Sequence, residues 1–136
     1  MNQDDLTGTI VLVQPKLTHD PAGKKNEVGI ITSADMEQDN IMVGFSDGTE
    51  ALFSADALLV LRDIGGIRRD AENDFTLLFR EDYNDIKEVC WLAELSAPSG
   101  QRAAVELAQK NPMAQEYAMH PLTDEPGLEQ YKSRTR

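Results

Sequence analysis

Between two strand-like runs, Ile41 to Phe45 and Glu50 to Phe53, stands Ser46-Asp47-Gly48-Thr49, and this Asp-Gly pair constrains the chain more than any other feature. A tight connection of that kind closes an antiparallel hairpin, because the two central positions call for positive φ and glycine adopts it without steric cost. The surrounding residues extend the theme. Thr7 to Gln14 (Thr-Gly-Thr-Ile-Val-Leu-Val-Gln) is β-branched and apolar without helical spacing, which marks a strand with a buried face. Glu27 to Ser33 returns to strand character, Met36 to Asn40 reads as a polar turn, and Leu58 to Leu61 as a fifth strand after a short turn at Ser54-Ala55-Asp56. The stretch from Pro15 to Asn26 holds Pro15, Pro21 and Gly23 and no periodic apolar residues, so it predicts a long exposed loop.

Five short strands, a long first loop and a helical winding before the last strand resemble the small Src-homology-3-like barrels of the KOW and Tudor type over residues 6–62. Val28-Gly29-Ile30-Ile31 is similar to that family's G-x-I strand, and Val43-Gly44-Phe45-Ser46-Asp47-Gly48-Thr49 to its V-x-F-x-D-G-x strand. The resemblance implies that Gly29 permits a close backbone approach or bulge, and it speaks to fold rather than activity, since such barrels host unrelated roles. The fold class expected is therefore α+β, an N-terminal five-stranded barrel over residues 1–62 followed by a helical subdomain.

The period changes in the second half. Residues 63–83 read as a charged, Gly-containing connector in which Phe75 to Phe79 fits a strand or a helical turn equally. From Asn84 onward, Ile86, Val89, Cys90 and Ala93 fall at i, i+3, i+4 and i+7, on one face of a helix, with Asn84 or Asp85 as its cap and Glu88 placed to close a capping box. A second helix, Gln101 to Lys110, carries Ala104, Leu107 and Ala108, and Asn111-Pro112 punctuates it before a short third helix through Met119. This helical hairpin, residues 84–119, is expected to cover the barrel, with Trp91 packed against it in preference to serving as a contact surface. Trp91 through Pro112 also resembles one tetratricopeptide unit, but no second copy follows and a lone unit builds no array. Residues 120–136 read as a loosely held tail.

Charge and composition narrow the function classes. The chain carries 24 acidic and 13 basic side chains, a net −11, and a field of that sign repels phosphate backbones, so nucleic acid is not expected as a partner. No apolar run approaches the roughly 20 residues that span a bilayer. The N-terminus lacks the basic and apolar regions of an export signal, and the single cysteine makes no internal disulfide, so the expected location is the cytoplasm.

No catalytic, cofactor or metal residues are assigned. Gly23-Lys24-Lys25 lacks the earlier glycine and the Ser or Thr of a phosphate loop, and Asp35 to Ser46 lacks the central Gly and closing Glu of a calcium loop. His19 and His120 have no second ligand at metal spacing, and Cys90 lies in the apolar stripe of its helix. A charge asymmetry stands out instead. Of the four basic residues up to Arg62, three (Lys16, Lys24 and Lys25) lie in the first loop with His19. That loop is the candidate contact region for an acidic protein surface or for a second copy, and Phe45 and Phe53 are the candidate surface aromatics. The function expected is a non-enzymatic interaction or scaffold module, the alternatives being a KOW-type nucleic-acid module and an accessory or regulatory subunit of an enzyme complex.

Overall fold

A computed structural model of the chain describes residues 6–18, 20, 22–95 and 97–125. The class is α+β, with six strands and four α-helices among the described residues. The strands are β1 (Ile10–Val13), β2 (Val28–Asp35), β3 (Asn40–Phe45), β4 (Glu50–Phe53), β5 (Leu58–Leu61) and β6 (Met119–Pro121). The helices are α1 (Ile64–Asn73), α2 (Arg80–Glu94), α3 (Pro98–Lys110) and α4 (Pro112–Ala118). The sheet is a single open ladder in the order β4-β3-β2-β1-β5-β6, with six strands where five were expected. Two compact units divide the described residues, one of those up to Val60 and from Pro121 onward, the other of Leu61–His120.

In the first unit the expected strands form where their patterns stand, because alternation places one side of each strand inward. Ile41, Val43 and Phe45 are buried along β3, and Val11 and Val13 along β1, meeting Ile31, Leu58 and Val60 in one core. Register is kept by a bulge in β2. Ile31 lies opposite Val43 and Ser33 opposite Met42, so Thr32 is the extra residue, and the shift of parity lets Ala34 and Met36 join the core that Ile31 faces. Gly29 makes the close approach the sequence implied: a Cβ there would fall 2.4 Å from Val43 Cγ1 and 2.9 Å from the Gly44 carbonyl oxygen.

The hairpin turn differs in detail from the expectation. Only Gly48 has positive φ (87°), the Gly48 N–H donates to the Phe45 carbonyl at 3.0 Å, and the Phe45 N–H donates to the Thr49 carbonyl at 2.9 Å. This is the three-residue connection in which glycine alone takes the left-handed position. Asp47 contributes through its carboxylate, which accepts from the Thr49 N–H (2.9 Å) and hydroxyl (2.6 Å).

In the second unit the helical stripe of α2 is as its spacing requires, with Ile86, Val89, Cys90 and Ala93 buried. The helix begins four residues before the expected cap, at Arg80, so Asn84 and Asp85 are interior to it. Asp85 and Asp82 instead accept hydrogen bonds from the Asn111 side-chain amide (2.8 and 3.1 Å), while the Asn111 carbonyl oxygen caps α4 by accepting from the Met113 and Ala114 N–H groups. α3 starts at Pro98, three residues before the expected Gln101, with proline at the helix position that tolerates its missing N–H. Along it Ala104, Val105 and Ala108 are buried and Leu107 is half-buried.

The stretch read as a connector contains a full helix, α1, capped by Asp63, whose carboxylate accepts from the Gly66 N–H at 3.0 Å. Its two leading glycines hid it, since glycine lowers helix propensity by about 1 kcal/mol each. Phe75–Leu77 is a 3₁₀ turn. Residues 120–125, placed at the start of the tail by composition, hold the end of β6 and a 3₁₀ turn at Leu122–Asp124; Leu122 is fully buried in the first unit's core. Residues 126–136 of that tail lie outside the described residues.

Candidate interaction surface

The lysine loop is organised from within. Asp20 accepts from the Lys24 and Lys25 backbone N–H groups (3.1 and 2.9 Å), which lowers its pKa, and the loop closes through the Asn26 N–H onto the Val13 carbonyl at 2.9 Å. The Lys24 ammonium sits 2.8 Å from the Asp47 carboxylate and 4.9 Å from the centre of the Phe45 ring, with only 13% of its side chain exposed. Asp47 is thereby held well below the usual carboxylate range, first by Lys24 and then by Thr49, and Lys24 is raised by the same contact. This lysine therefore serves as an internal strut between the first loop and the hairpin, not as a free contact point.

The other candidates separate. Lys16 and Lys25 are exposed, Lys16 at the mouth of a hollow of about 560 Å³ that it shares with Leu17, Asp20, Leu52, Phe53 and Asp56. His19 lies outside the described residues. Phe45 and Phe53 require a correction, because they are 7% and 9% exposed and meet edge to face, 6.1 Å between centroids, within the core. Phe45 shares the inward parity of Ile41 and Val43, and Phe53 pairs opposite Ile41, so neither faces solvent.

Exposed apolar surface concentrates in the second unit. Phe75, Leu77 and Phe79, within five residues, are 55%, 80% and 80% exposed. Three large apolar side chains so close and so open are more than the scattered surface hydrophobes normal for a folded domain. Two hollows adjoin the segment, with Leu78 lining each. One, of about 540 Å³, is walled by Leu77, Met113, Arg62, Asp74, Glu116 and Tyr117 among others; the second, of about 270 Å³, by Phe75, Arg80, Tyr83 and Asn84. From Phe79 the pattern continues along α2, because Tyr83, Lys87 and Trp91 follow at four-residue steps. Phe75 packs edge to face on Tyr83 at 5.0 Å, and the Lys87 ammonium lies 5.5 Å from the Tyr83 ring centre. Trp91 is 57% exposed, so the packing role expected for it gives way to a largely open indole.

The walls of the larger hollow are fixed by polar contacts. Arg62 donates to the Tyr117 carbonyl and to the Asp70 carboxylate, each at 2.7 Å, and the Tyr117 hydroxyl donates to Asp74 at 2.5 Å. The Asp74 carboxylate favours the protonated phenol, and the Tyr117 pKa is pushed up to about 12. At the smaller hollow the Tyr83 hydroxyl donates to Glu72 at 2.9 Å, which raises Tyr83 in the same way. Two tyrosines thus anchor Glu72 and Asp74, the carboxylates just before the 75–79 segment.

Sequence reasoning passed over this segment because Phe75 to Phe79 fits no single period. The signal was there in another form: four large apolar residues among five, bounded by Asp74 and Arg80. Cys90, by contrast, is 1% exposed, and burial pushes its thiol pKa up, the opposite of what a nucleophile needs. Among the described residues no group of three or more His, Cys, Asp or Glu side chains is placed to hold a metal ion, and no helix is long and apolar enough to cross a membrane. No protein family, curated protein or solved structure matches the chain.

Proposed function

We propose that this protein is a non-enzymatic protein–protein interaction module whose contact surface is the apolar segment Phe75–Phe79 with its continuation along α2. The observation that carries the reading is the 80% exposure of both Leu77 and Phe79 beside hollows whose walls are braced by Arg62, Tyr117 and Tyr83. Leaving such side chains in water forgoes roughly 1.5–3 kcal/mol each that burial in a partner would return. The contact surface thus moves from the lysine loop, where Lys24 is engaged by Asp47, to the second unit. The first unit is read as a supporting domain of the small Src-homology-3-like kind, its strands in the order β4-β3-β2-β1-β5 being consistent with the KOW and Tudor resemblance. The net charge of −11 and the single buried cysteine support a protein partner in the cytoplasm over nucleic acid.

The test is retention of partners from native lysate by the wild-type chain and by Leu77→Ser/Phe79→Ser. Both positions are so exposed that folding stability should stay within about 0.5 kcal/mol of wild type, so a difference in retention reports the surface and not the fold. The expected result is a stoichiometric partner retained by the wild type and lost by the variant. Identical retention by the two proteins would remove the proposal.

A further inference from the structure

The hollow beside Leu77 has a charge as well as a shape. Among the described residues Asp70, Asp74 and Glu116 line it with Arg62 as the one cation, so two negative charges remain in excess beside the apolar side chains of Leu77, Leu78 and Met113. Arg62 is spent on Asp70, the Asp74 carboxylate accepts only the neutral phenol of Tyr117, and Glu116 stands on the exposed side of α4. Apolar side chains beside an excess of carboxylates are complementary to a segment that presents a large apolar side chain next to lysine or arginine.

We infer that the occupant of this surface is a basic amphipathic peptide segment of another protein, its apolar residues seated against Leu77, Phe79 and Met113 and its cations facing Asp74 and Glu116. This rests on the reading of Phe75–Phe79 as the contact surface and specifies the partner's chemistry. Two other occupants fit the charge less well. A second copy brings the same excess of carboxylates and a net −11 against itself, and an anionic membrane surface meets carboxylates where it needs lysines.

The probe is a labelled synthetic amphipathic peptide of leucine and lysine, with a leucine–glutamate peptide as its charge-reversed control, followed by fluorescence anisotropy on the full chain. Four proteins are compared: wild type, Leu77→Ser/Phe79→Ser, Asp74→Asn/Glu116→Gln, and a chain ending at Glu125. The lysine peptide should bind wild type and the glutamate peptide should not. Serine at 77 and 79 should weaken binding by more than about tenfold. Neutralising 74 and 116 should weaken it by roughly fivefold and flatten its dependence on ionic strength.

If serine at 77 and 79 abolishes binding while the neutralised variant and the glutamate peptide behave as wild type and lysine peptide do, the contact surface stands and the basic-partner inference falls. Binding indifferent to both pairs of substitutions overturns the contact surface as well. Two further outcomes overturn the inference by naming another occupant. One is lysine-peptide binding that appears only in the chain ending at Glu125, which assigns the surface to the chain's own residues 126–136. The other is co-sedimentation with phosphatidylserine-containing vesicles that depends on Leu77 and Phe79.

Discussion

Replacing Gly29 by alanine isolates the close approach between β2 and β3. The added Cβ would lie 2.4 Å from Val43 Cγ1, 2.9 Å from the Gly44 carbonyl oxygen and 3.0 Å from Phe45 Cε1. The side-chain obstacles have little room, since Val43 is fully buried and Phe45 nearly so, and the carbonyl belongs to the paired strand. Relief therefore requires the two strands to part. Overpacking of this kind costs about 1–3 kcal/mol, and a backbone obstacle argues for the upper end. Alanine also restricts the unfolded chain, which returns about 0.4–1 kcal/mol, so the net destabilisation should be about 2 kcal/mol. With a urea slope of about 2 kcal/mol per molar, the unfolding midpoint by circular dichroism falls by roughly 1 M with the slope unchanged. Val43→Ala in the same chain removes the shortest contact but leaves the carbonyl, so the double variant should be less damaged than the sum of the singles by about 1 kcal/mol. A Gly29→Ala protein within about 0.5 kcal/mol of wild type, or strict additivity with Val43→Ala, would refute the steric argument.

Other consequences can be checked in the same way. Asp63→Ala removes the acceptor for the Gly66 N–H and should cost about 1 kcal/mol in chemical denaturation, whereas Asp63→Ser should keep most of it; equal losses would show that the cap is not the cause. Phenolate absorbance should show one tyrosine, Tyr117, titrating at about 12, and Asp74→Asn should bring it back toward the ordinary value near 10. Because its folded pKa is raised, the stability Tyr117 contributes is present below about pH 10 and is lost as pH climbs towards 12; an unchanged titration in Asp74→Asn contradicts this. Asp47 is depressed, so its contribution is present above the usual carboxylate range and fades as pH falls below it, and Asp47→Asn should flatten the acid limb of the denaturation-midpoint profile. Superimposable acid limbs for the two proteins would mean that the Lys24–Asp47 contact adds nothing to the fold.

Wherever neighbours along the chain suffice, local pattern and structure agree. Asp47-Gly48 closes its hairpin, β4 and β5 occupy the ranges expected from their strand-like runs, and Ile86, Val89, Cys90 and Ala93 fill one face of α2. These features depend on periodicity and on the φ a residue tolerates, both written in a few adjacent letters. α1 escaped because Gly65 and Gly66 argue against a helix locally, and the Asp63 cap and the burial of Ile67 and Ala71 outweigh them.

What covers each side chain was decided elsewhere. Lys24 looks like a mobile surface charge until Asp47, 23 residues on, lies 2.8 Å away. Phe45 and Phe53 pass for surface aromatics until their two strands pair and turn both rings inward. Phe75 to Phe79 fits a strand or a helical turn equally by its letters, and in the folded chain Leu77 and Phe79 stay in water while Ile67, Ile86, Val89 and Ala114 occupy buried positions of α1, α2 and α4. Composition sets how much apolar surface a chain must hide; contacts distant in sequence select which residues hide and which are left for a partner.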